Sequence, residues 1–234
     1  AKQKSWNNYY EIIDELGEGG NAKVYRVKCK EDNEEYALKD LVVGGKEKHS
    51  RFVNEINTIK DNYQIIEGII PIYRFSVEEY WYTMPIAISA VDYILENKLD
   101  IEEVVKGIIS LSETLEKLHE KDICHRDIKP SNIYYYNNRF AFGDFGLVDF
   151  PNNTDDFTKS DKGLGAIFTI APEMKRNPKN ADSKKADVFS LAKTMWMFLT
   201  NNEKGFDGVY NYLDPSHSLR YLERYKNTHL VEID

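Results

Sequence analysis

Cysteine is scarce in this chain of 234 residues, which contains only Cys29 and Cys124. Cys29 lies in an early strand pattern and Cys124 lies beside His125, so their placement does not favour a structural disulfide. Free thiols are typical of proteins that stay in a reducing compartment. The sequence therefore predicts an intracellular protein with two free cysteines.

Long apolar runs are absent as well. No stretch approaches the ~18–20 apolar residues that cross a membrane, and the first residues contain no apolar signal core. Internal repeats and low-complexity linkers are also missing from the sequence. We expect a soluble, cytoplasmic protein without a membrane span.

The sequence also has no surplus of basic residues. The 31 Lys and Arg residues are outnumbered by 39 Asp and Glu residues, which gives a net charge of −8. Nucleic acid is therefore not the expected main ligand, because phosphate backbones bind concentrated positive charge. One small basic cluster exists, and we interpret it as the solvated start of a helix (Lys46, Lys48, His49 and Arg51).

The overall composition is that of an ordinary globular chain, with 41% apolar and 30% charged residues. This balance argues against disorder. The length allows one large domain or two small lobes, which would bury roughly 70–75% of the surface of the unfolded chain.

The stretch Cys124–Gly146 concentrates polar side chains that can do chemistry. Asp127 and Lys129 are two residues apart, and the proline after the lysine keeps that lysine out of helical geometry. Both side chains can then project from one loop towards one reacting centre. Asn132 and Asp144 are hard oxygen donors, the type that holds Mg²⁺ when phosphates complete its octahedron. A base, a cation and two metal ligands predict phosphoryl transfer.

Two short motifs in this stretch carry a family resemblance. His125-Arg126-Asp127, with Asn132 five residues after the aspartate, and Asp144-Phe145-Gly146 resemble the catalytic loop and the magnesium loop of eukaryotic-type (Hanks-type) serine/threonine protein kinases. Each tripeptide is short enough to occur by chance, but their order and spacing together are specific. Lysine two residues after the loop aspartate favours the serine/threonine class over the tyrosine kinases.

The resemblance covers roughly residues 9–230 and implies an α+β, bilobal protein-kinase-like fold. Residues 1–84 would form a small N-lobe, an antiparallel sheet with one helix. Residues 85–88 would form the hinge, and residues 89–234 a larger, mainly helical C-lobe. Nucleotide would bind in the cleft between the lobes.

A glycine-rich segment lies between the first two strand patterns. On its own we would interpret it as an ordinary hairpin turn, although glycines also bring N–H groups close to phosphate oxygens. By resemblance it is the loop that covers the nucleotide, with contacts from Leu16, Gly17, Gly19 and Val24. The third glycine of the family pattern is replaced by Ala22, which should stiffen the loop.

Lys39 follows in a strand pattern, where a surface lysine would be the ordinary interpretation. The resemblance makes it the lysine that meets the α- and β-phosphates. A helix pattern comes next, with apolar residues at spacings of four and three that place Glu55 on the inward face (Phe52, Ile56 and Ile59). A buried carboxylate needs a cationic partner, and Lys39 is the family's candidate.

The segment Tyr82–Ala87 is either a plain strand end or, by resemblance, the hinge between the lobes. In the second case Met84 is the gatekeeper beside the adenine, and Pro85 removes one backbone donor. Adenine would then bind to the Pro85 carbonyl and the Ala87 backbone. The resemblance adds two further residues to the adenine pocket (Ala37 and Tyr134).

At the centre, the resemblance assigns a role to each polar residue. Asp127 accepts or orients the proton of the attacking hydroxyl, and Lys129 stabilises charge on the transferred phosphoryl group. Asn132 and Asp144 hold Mg²⁺. The implied cofactors are ATP and Mg²⁺, and the implied partners are protein substrates with Ser or Thr acceptors. Both aspartates could instead be ordinary turn residues.

Residues 147–170 resemble an activation segment, which closes at Ala171-Pro172-Glu173. An arginine before the catalytic aspartate, Arg126 here, marks kinases that phosphorylation of this segment often controls, because the phosphate can pair with that arginine. The candidate sites stay unranked (Thr154, Thr158 and Ser160). The family's Gly-Thr pair is replaced by Gly165-Ala166, which puts peptide specificity in doubt more than ATP chemistry.

The family's last helices and the arginine that pairs with Glu173 do not appear in the sequence. We interpret the chain as a fragment, and a regulatory domain could lie beyond either end. One alternative function is a pseudokinase that binds nucleotide or acts as a scaffold without transfer. Another is a small-molecule kinase, against which the Lys129-Pro130 pair and the closing motif argue.

Overall fold

The computed structural model describes residues 4–18, 21–148, 168–177 and 181–222. Its first part is a five-stranded sheet in the order β1-β2-β3-β5-β4, in which every neighbouring pair is antiparallel. The strands are β1 (Tyr10–Glu18), β2 (Ala22–Cys29), β3 (Glu35–Leu41), β4 (Phe75–Ser76) and β5 (Trp81–Met84).

One helix, α1 (Lys46–Asn62), accompanies this sheet. Its apolar residues Phe52, Ile56 and Ile59 are buried, as the four-and-three spacing predicts, and Glu55 lies among them with only 1% of its surface exposed. The basic cluster coincides with the first two turns of the helix, so the predicted helix start is confirmed.

The second part is mainly helical. It contains α2 (Ala90–Asn97), α3 (Ile101–Glu120), α4 (Pro172–Arg176) and α5 (Ser183–Thr200). A small antiparallel sheet lies beside them, in the order β6 (Ile88–Ser89), β7 (Ile133–Tyr136) and β8 (Arg139–Phe142). Short 3-10 turns occur at Ser5–Asn8, Pro130–Asn132 and Leu219–Tyr221. The predicted α+β fold, an antiparallel sheet with one helix followed by a larger, mainly helical part, is confirmed.

The two faces of the larger sheet contribute side chains to two different apolar clusters. On the outer face, Tyr10, Leu38 and Trp81 belong to a separate cluster of buried apolar side chains. On the inner face, α1 joins a continuous apolar core that extends through β8 to α3 and α5. Alternation along each strand therefore decides which side chains reach the space between the two parts.

Cys29 and Cys124 are both buried, and neither forms a disulfide, as the sequence predicts. Among the helices that the structure describes, none combines the length and the apolar character needed to cross a lipid bilayer.

Helix α3 leads into the functional loop and begins with a capping box. The Asp100 carboxylate accepts a hydrogen bond from the Glu103 N–H, and the Glu103 carboxylate accepts one from the Asp100 N–H, both at 2.9 Å. These contacts satisfy N–H groups that the first turn of a helix leaves without partners.

Replacing this cap should cost measurable stability. We expect Asp100→Ala to lower the free energy of unfolding by about 0.5–2 kcal/mol, because a helix N–H loses its acceptor. Asp100→Asn is the matched control and should change it little, since asparagine caps helices as well as aspartate does. Urea denaturation measures both, and equal losses in the two variants would show that the cap does not contribute through this hydrogen bond.

Candidate active site

The loop between α3 and β7 holds Asp127 by hydrogen bonds from its own neighbours. Lys129 Nζ donates to Asp127 Oδ2 at 2.7 Å, and Asn132 Nδ2 donates to the same oxygen at 2.9 Å. Asn132 Nδ2 also donates to the backbone carbonyl of Asp127 at 2.8 Å. Spacings of two and five residues thus bring three predicted site residues into direct contact, with the carboxylate in a fixed orientation.

Asp187 of α5 binds the backbone of this loop. Only 1% of the surface of Asp187 is exposed. Its two carboxylate oxygens accept hydrogen bonds from the N–H groups of His125 (2.8 Å) and Arg126 (2.7 Å). Arg126 has a φ of +62°, a conformation that non-glycine residues rarely adopt. The buried carboxylate therefore supports a strained backbone immediately before Asp127.

A second group of charged residues surrounds Lys39 of β3. Lys39 Nζ donates to Glu55 Oε1 of α1 at 2.7 Å and to Asp144 Oδ1 at 3.0 Å. The predicted Lys39–Glu55 pair is therefore formed in this structure. The same ammonium reaches across to the loop after β8, so it connects the larger sheet to the second part of the chain.

Each charge in this group changes the pKa of its neighbours. The Lys39 ammonium lowers the pKa of Asp144 to about 2, against the opposing effect of burial. Burial raises the pKa of Glu55, although Lys39 opposes this change. For Lys39 burial acts to lower the pKa, but the carboxylates of Asp144 and Glu55 outweigh it and raise that pKa well above its usual value. Lys39 and Asp144 are therefore both ionised at neutral pH.

Aromatic packing supports the loop that carries Asp144. Phe145 and His125 are both fully buried, and their ring centroids lie 4.7 Å apart. His125 Nε2 lies 3.2 Å from the carbonyl oxygen of Gly143, to which it can donate a hydrogen bond. These contacts make His125 a packed residue of the core rather than a candidate catalytic acid.

The register of the larger sheet places the predicted nucleotide contacts on one face. Val24 lies opposite Lys39, and Lys39 lies opposite Tyr82, while Ala37 lies opposite Met84. Directly opposed residues share a face, as do residues two apart on one strand. The inner face next to Glu55 therefore presents one continuous row of these side chains.

The remaining predicted contacts lie around this row. Leu16 and Gly17 are exposed near the end of β1, and Gly17 lies opposite Val24. Pro85 and Ala87 are partly exposed in the link between β5 and β6. Gly19 lies outside the described residues.

Tyr134 of β7 lies against Gly143, the residue just before Asp144. A Cβ atom built on Gly143 would lie 2.8 Å from Tyr134 Cε2, closer than real side chains approach. The sequence indicated Tyr134 only by resemblance and gave no reason for a glycine at position 143. The structure supplies that reason, because a larger residue would displace the tyrosine ring.

Sequence reasoning also missed a role for Tyr82, which it treated only as the start of the hinge. The Tyr82 hydroxyl donates to Glu55 Oε1 at 2.9 Å. The available signal was its strand spacing, because a residue two before Met84 in a strand must point to the same side of the sheet.

Several predicted features lie outside the described residues, namely Thr154, Thr158, Ser160, Gly165 and Ala166. The closing motif is described: Ala171 is fully buried at the N-cap of α4, and Pro172 and Glu173 form the first turn of that helix.

Asn132 and Asp144 have the chemistry of a magnesium site. The Asn132 amide nitrogen donates to Asp127, so the amide oxygen of Asn132 is the atom that would bind a metal. The Asp144 side chain is 43% exposed and ionised, so its carboxylate is accessible to solvent. Hard oxygen donors of this kind fit Mg²⁺.

Comparison with known proteins gives a consistent result. A family model described as the protein kinase domain matches residues 10–214. Serine/threonine-protein kinase CLA4 of Candida albicans is 28% identical over 191 residues, which cover 78% of this chain and 19% of that protein. Serine/threonine-protein kinase 10 of Danio rerio is 30% identical over 204 residues, which cover 81% of this chain and 20% of that protein.

A third relative, serine/threonine-protein kinase cds1 of Schizosaccharomyces pombe, is 29% identical over 214 residues, which cover 84% of this chain and 46% of that protein. The chain therefore spans less than half the length of each of these three relatives.

Removal of the Asp187 carboxylate should destabilise the protein strongly. We expect Asp187→Ala to lower the free energy of unfolding by about 2–5 kcal/mol, because two backbone N–H groups lose their acceptor at a buried site. Asp182→Ala, which removes an exposed cap of the same helix, is the control and should cost about 0.5–2 kcal/mol. Chemical denaturation compares the two variants, and a smaller loss for Asp187→Ala than for Asp182→Ala would contradict the assigned role.

The contact between Gly143 and Tyr134 can be tested by compensation. Gly143→Ala should reduce stability by about 1–3 kcal/mol, because the new methyl group meets the tyrosine ring. The double variant Gly143→Ala/Tyr134→Leu should recover most of this loss, because the smaller side chain makes room. Thermal unfolding of the two single variants and the double variant gives the coupling, and strict additivity would refute the steric explanation.

Proposed function

Because the chain belongs to the protein kinase domain family, we propose that it transfers the γ-phosphoryl group of ATP to serine and threonine hydroxyls of protein substrates, with Mg²⁺ as cofactor. The serine/threonine preference is supported by Lys129, two residues after Asp127. The three relatives described above are named serine/threonine-protein kinases, which supports it as well.

The observation that carries this proposal is the convergence of six residues into two hydrogen-bonded groups. One group orients a carboxylate in the loop before β7, and the other fixes an ammonium between two carboxylates. Together they supply a base, two cations and the metal ligands that phosphoryl transfer requires (Asp127, Lys129, Asn132, Lys39, Glu55 and Asp144).

Asp127 is the proposed catalytic base. The oxygen of the substrate hydroxyl forms a bond to the γ-phosphorus, the bond from that phosphorus to the β–γ bridging oxygen breaks, and ADP leaves. The hydroxyl proton passes to the Asp127 carboxylate, which Asn132 and Lys129 hold in position. In this proposal the Lys129 ammonium also stabilises negative charge on the transferred group.

Lys39 binds the α- and β-phosphates in this proposal, and Glu55 keeps it in place. Asn132 and Asp144 would hold Mg²⁺, which neutralises phosphate charge when it is bound. Asp144, a proposed ligand of the metal, accepts a hydrogen bond from Lys39, the proposed ligand of the phosphates, at 3.0 Å. The metal and the phosphates would therefore bind next to each other.

The adenine pocket is proposed on the inner face of the larger sheet. Val24, Ala37 and Met84 share that face, and Tyr134 approaches from the second sheet. The Pro85 carbonyl and the Ala87 backbone would bind the adenine edge. Leu16 and Gly17 would cover the nucleotide, together with the rest of the glycine-rich loop.

We further propose an N-lobe of residues 1–84, a hinge of residues 85–88 and a C-lobe of residues 89–234. The two sheets support this division, because one ends at Met84 and the other begins at Ile88.

The proposed regulation is phosphorylation of the activation segment, residues 147–170. The added phosphate would form an ion pair with Arg126. Two cysteines that form no disulfide fit a cytoplasmic setting.

The decisive test is phosphate transfer from radiolabelled ATP with Mg²⁺, to the protein itself and to a generic basic protein. We expect Asp127→Asn to lower the rate by about 10²–10⁴-fold, because the proton acceptor is lost. ATP affinity should change little. Asp61→Asn, an exposed carboxylate at the end of α1, is the matched control and should leave the rate unchanged.

Phosphoamino-acid analysis of the product then tests the serine/threonine assignment, which phosphotyrosine alone would contradict. A parent protein that binds ATP but transfers no phosphate would favour the pseudokinase alternative.

A further inference from the structure

We propose that Tyr82 is a positioning residue that holds the Lys39–Glu55 pair in its phosphate-binding arrangement. This inference rests on the proposed kinase function. It concerns a side chain of β5 that touches neither adenine nor phosphate in the proposed binding mode, and that acts through Glu55.

The hydroxyl of Tyr82 and the ammonium of Lys39 share one acceptor atom. Tyr82 Oη donates to Glu55 Oε1 at 2.9 Å, and Lys39 Nζ donates to the same oxygen at 2.7 Å. Tyr82 is 1% exposed and Glu55 is 1% exposed, so water does not replace the hydroxyl. A hydrogen bond to a buried carboxylate is stronger than one between neutral groups.

The ring of Tyr82 is itself fixed by its surroundings. It lies opposite Lys39 in the β3–β5 register, with Lys39 Nζ 5.7 Å from the ring centroid. The ring of Phe52, one turn before Glu55 on α1, lies 5.5 Å from it. Tyr82 therefore contacts both the strand and the helix that supply the ion pair, and its hydroxyl joins the two elements at the carboxylate.

The Tyr82 hydroxyl affects the position of Lys39 because Asp144 competes with Glu55 for the Lys39 ammonium. Asp144 Oδ1 also accepts a hydrogen bond from Lys39 Nζ, at 3.0 Å. With two donors on its Oε1, Glu55 is held against the sheet and keeps the ammonium at the inner face. Without the tyrosine hydroxyl, α1 loses its only hydrogen bond to β5 among those described, and the ammonium can follow Asp144.

This role predicts an effect on phosphate binding and not on adenine binding. Lys39 meets only the phosphates in the proposed mode, whereas Val24, Ala37 and Met84 meet the base. A general loss of structure in the sheet would instead weaken both. Comparing ATP with adenosine therefore separates positioning from a structural contribution.

The test uses Tyr82→Phe, which removes only the hydroxyl. We expect its affinity for Mg²⁺-ATP, measured by isothermal titration calorimetry, to fall about 3- to 10-fold, because a hydrogen bond to a charged group is lost. Affinity for adenosine should stay within about twofold of the parent value. The matched control is Tyr10→Phe, whose hydroxyl lies 3.3 Å from Thr83 Oγ1 on the outer face of the same sheet. It should change neither affinity.

A second pair of variants confirms the route through Lys39. In a Lys39→Met background, Tyr82→Phe should cause no further loss of ATP affinity. Equal loss of ATP and adenosine affinity in Tyr82→Phe, or an unchanged ATP affinity, would overturn the inference while leaving the proposed function intact.

A readout that needs no nucleotide completes the test. Hydrogen exchange of the α1 amides around Glu55 should be faster in Tyr82→Phe than in Tyr10→Phe, because the helix has lost its hydrogen bond to β5. Unchanged exchange would count against the inference. A parent protein that binds no ATP, with faster exchange in Tyr82→Phe, would refute the proposed function and leave the contact established.

Discussion

The buried ammonium of Lys39 is the interaction on which the site depends. A charge in this position is costly unless carboxylates surround it, and the two that do so come from different parts of the chain. Glu55 requires α1 to pack inward, and Asp144 requires the loop after β8 to approach the sheet. Two ion pairs of one ammonium therefore couple the helix, the sheet and the second part of the chain, at the place where phosphates would bind.

The loops that carry Asp127 and Asp144 contain backbone conformations that are unfavourable for residues other than glycine. Arg126 and Asp144 both have positive φ values, +62° and +58°. Such residues cost of order 1–3 kcal/mol each and persist only where their surroundings enforce them. Asp187 supplies that support from α5, and the buried rings of His125 and Phe145 supply it beside Asp144. The strain lies immediately before Asp127 and at Asp144 itself, the two carboxylates to which the proposed chemistry assigns a role.

Local spacing explains why much of this could be predicted from the sequence. Asp127 and Asn132 interact within one loop, so a motif of eight residues is enough to indicate them, and the apolar period of α1 places Glu55 inward. The roles of Tyr82 and Gly143 were not predictable in the same way. Tyr82 acts through strand register and a helix packed on the sheet, and Gly143 is explained only by the ring of Tyr134. Contacts between distant segments leave no local pattern.

The central claim is that both groups serve one nucleotide and metal centre. Crystals grown with ATP and Mn²⁺, a stand-in for Mg²⁺ with a usable anomalous signal, test it most directly. The account predicts a manganese peak about 2.0–2.3 Å from oxygens of Asn132 and Asp144. The triphosphate should lie beside Lys39, with the γ-phosphate directed at Asp127. A nucleotide bound elsewhere, or a metal that avoids both residues, would contradict the account.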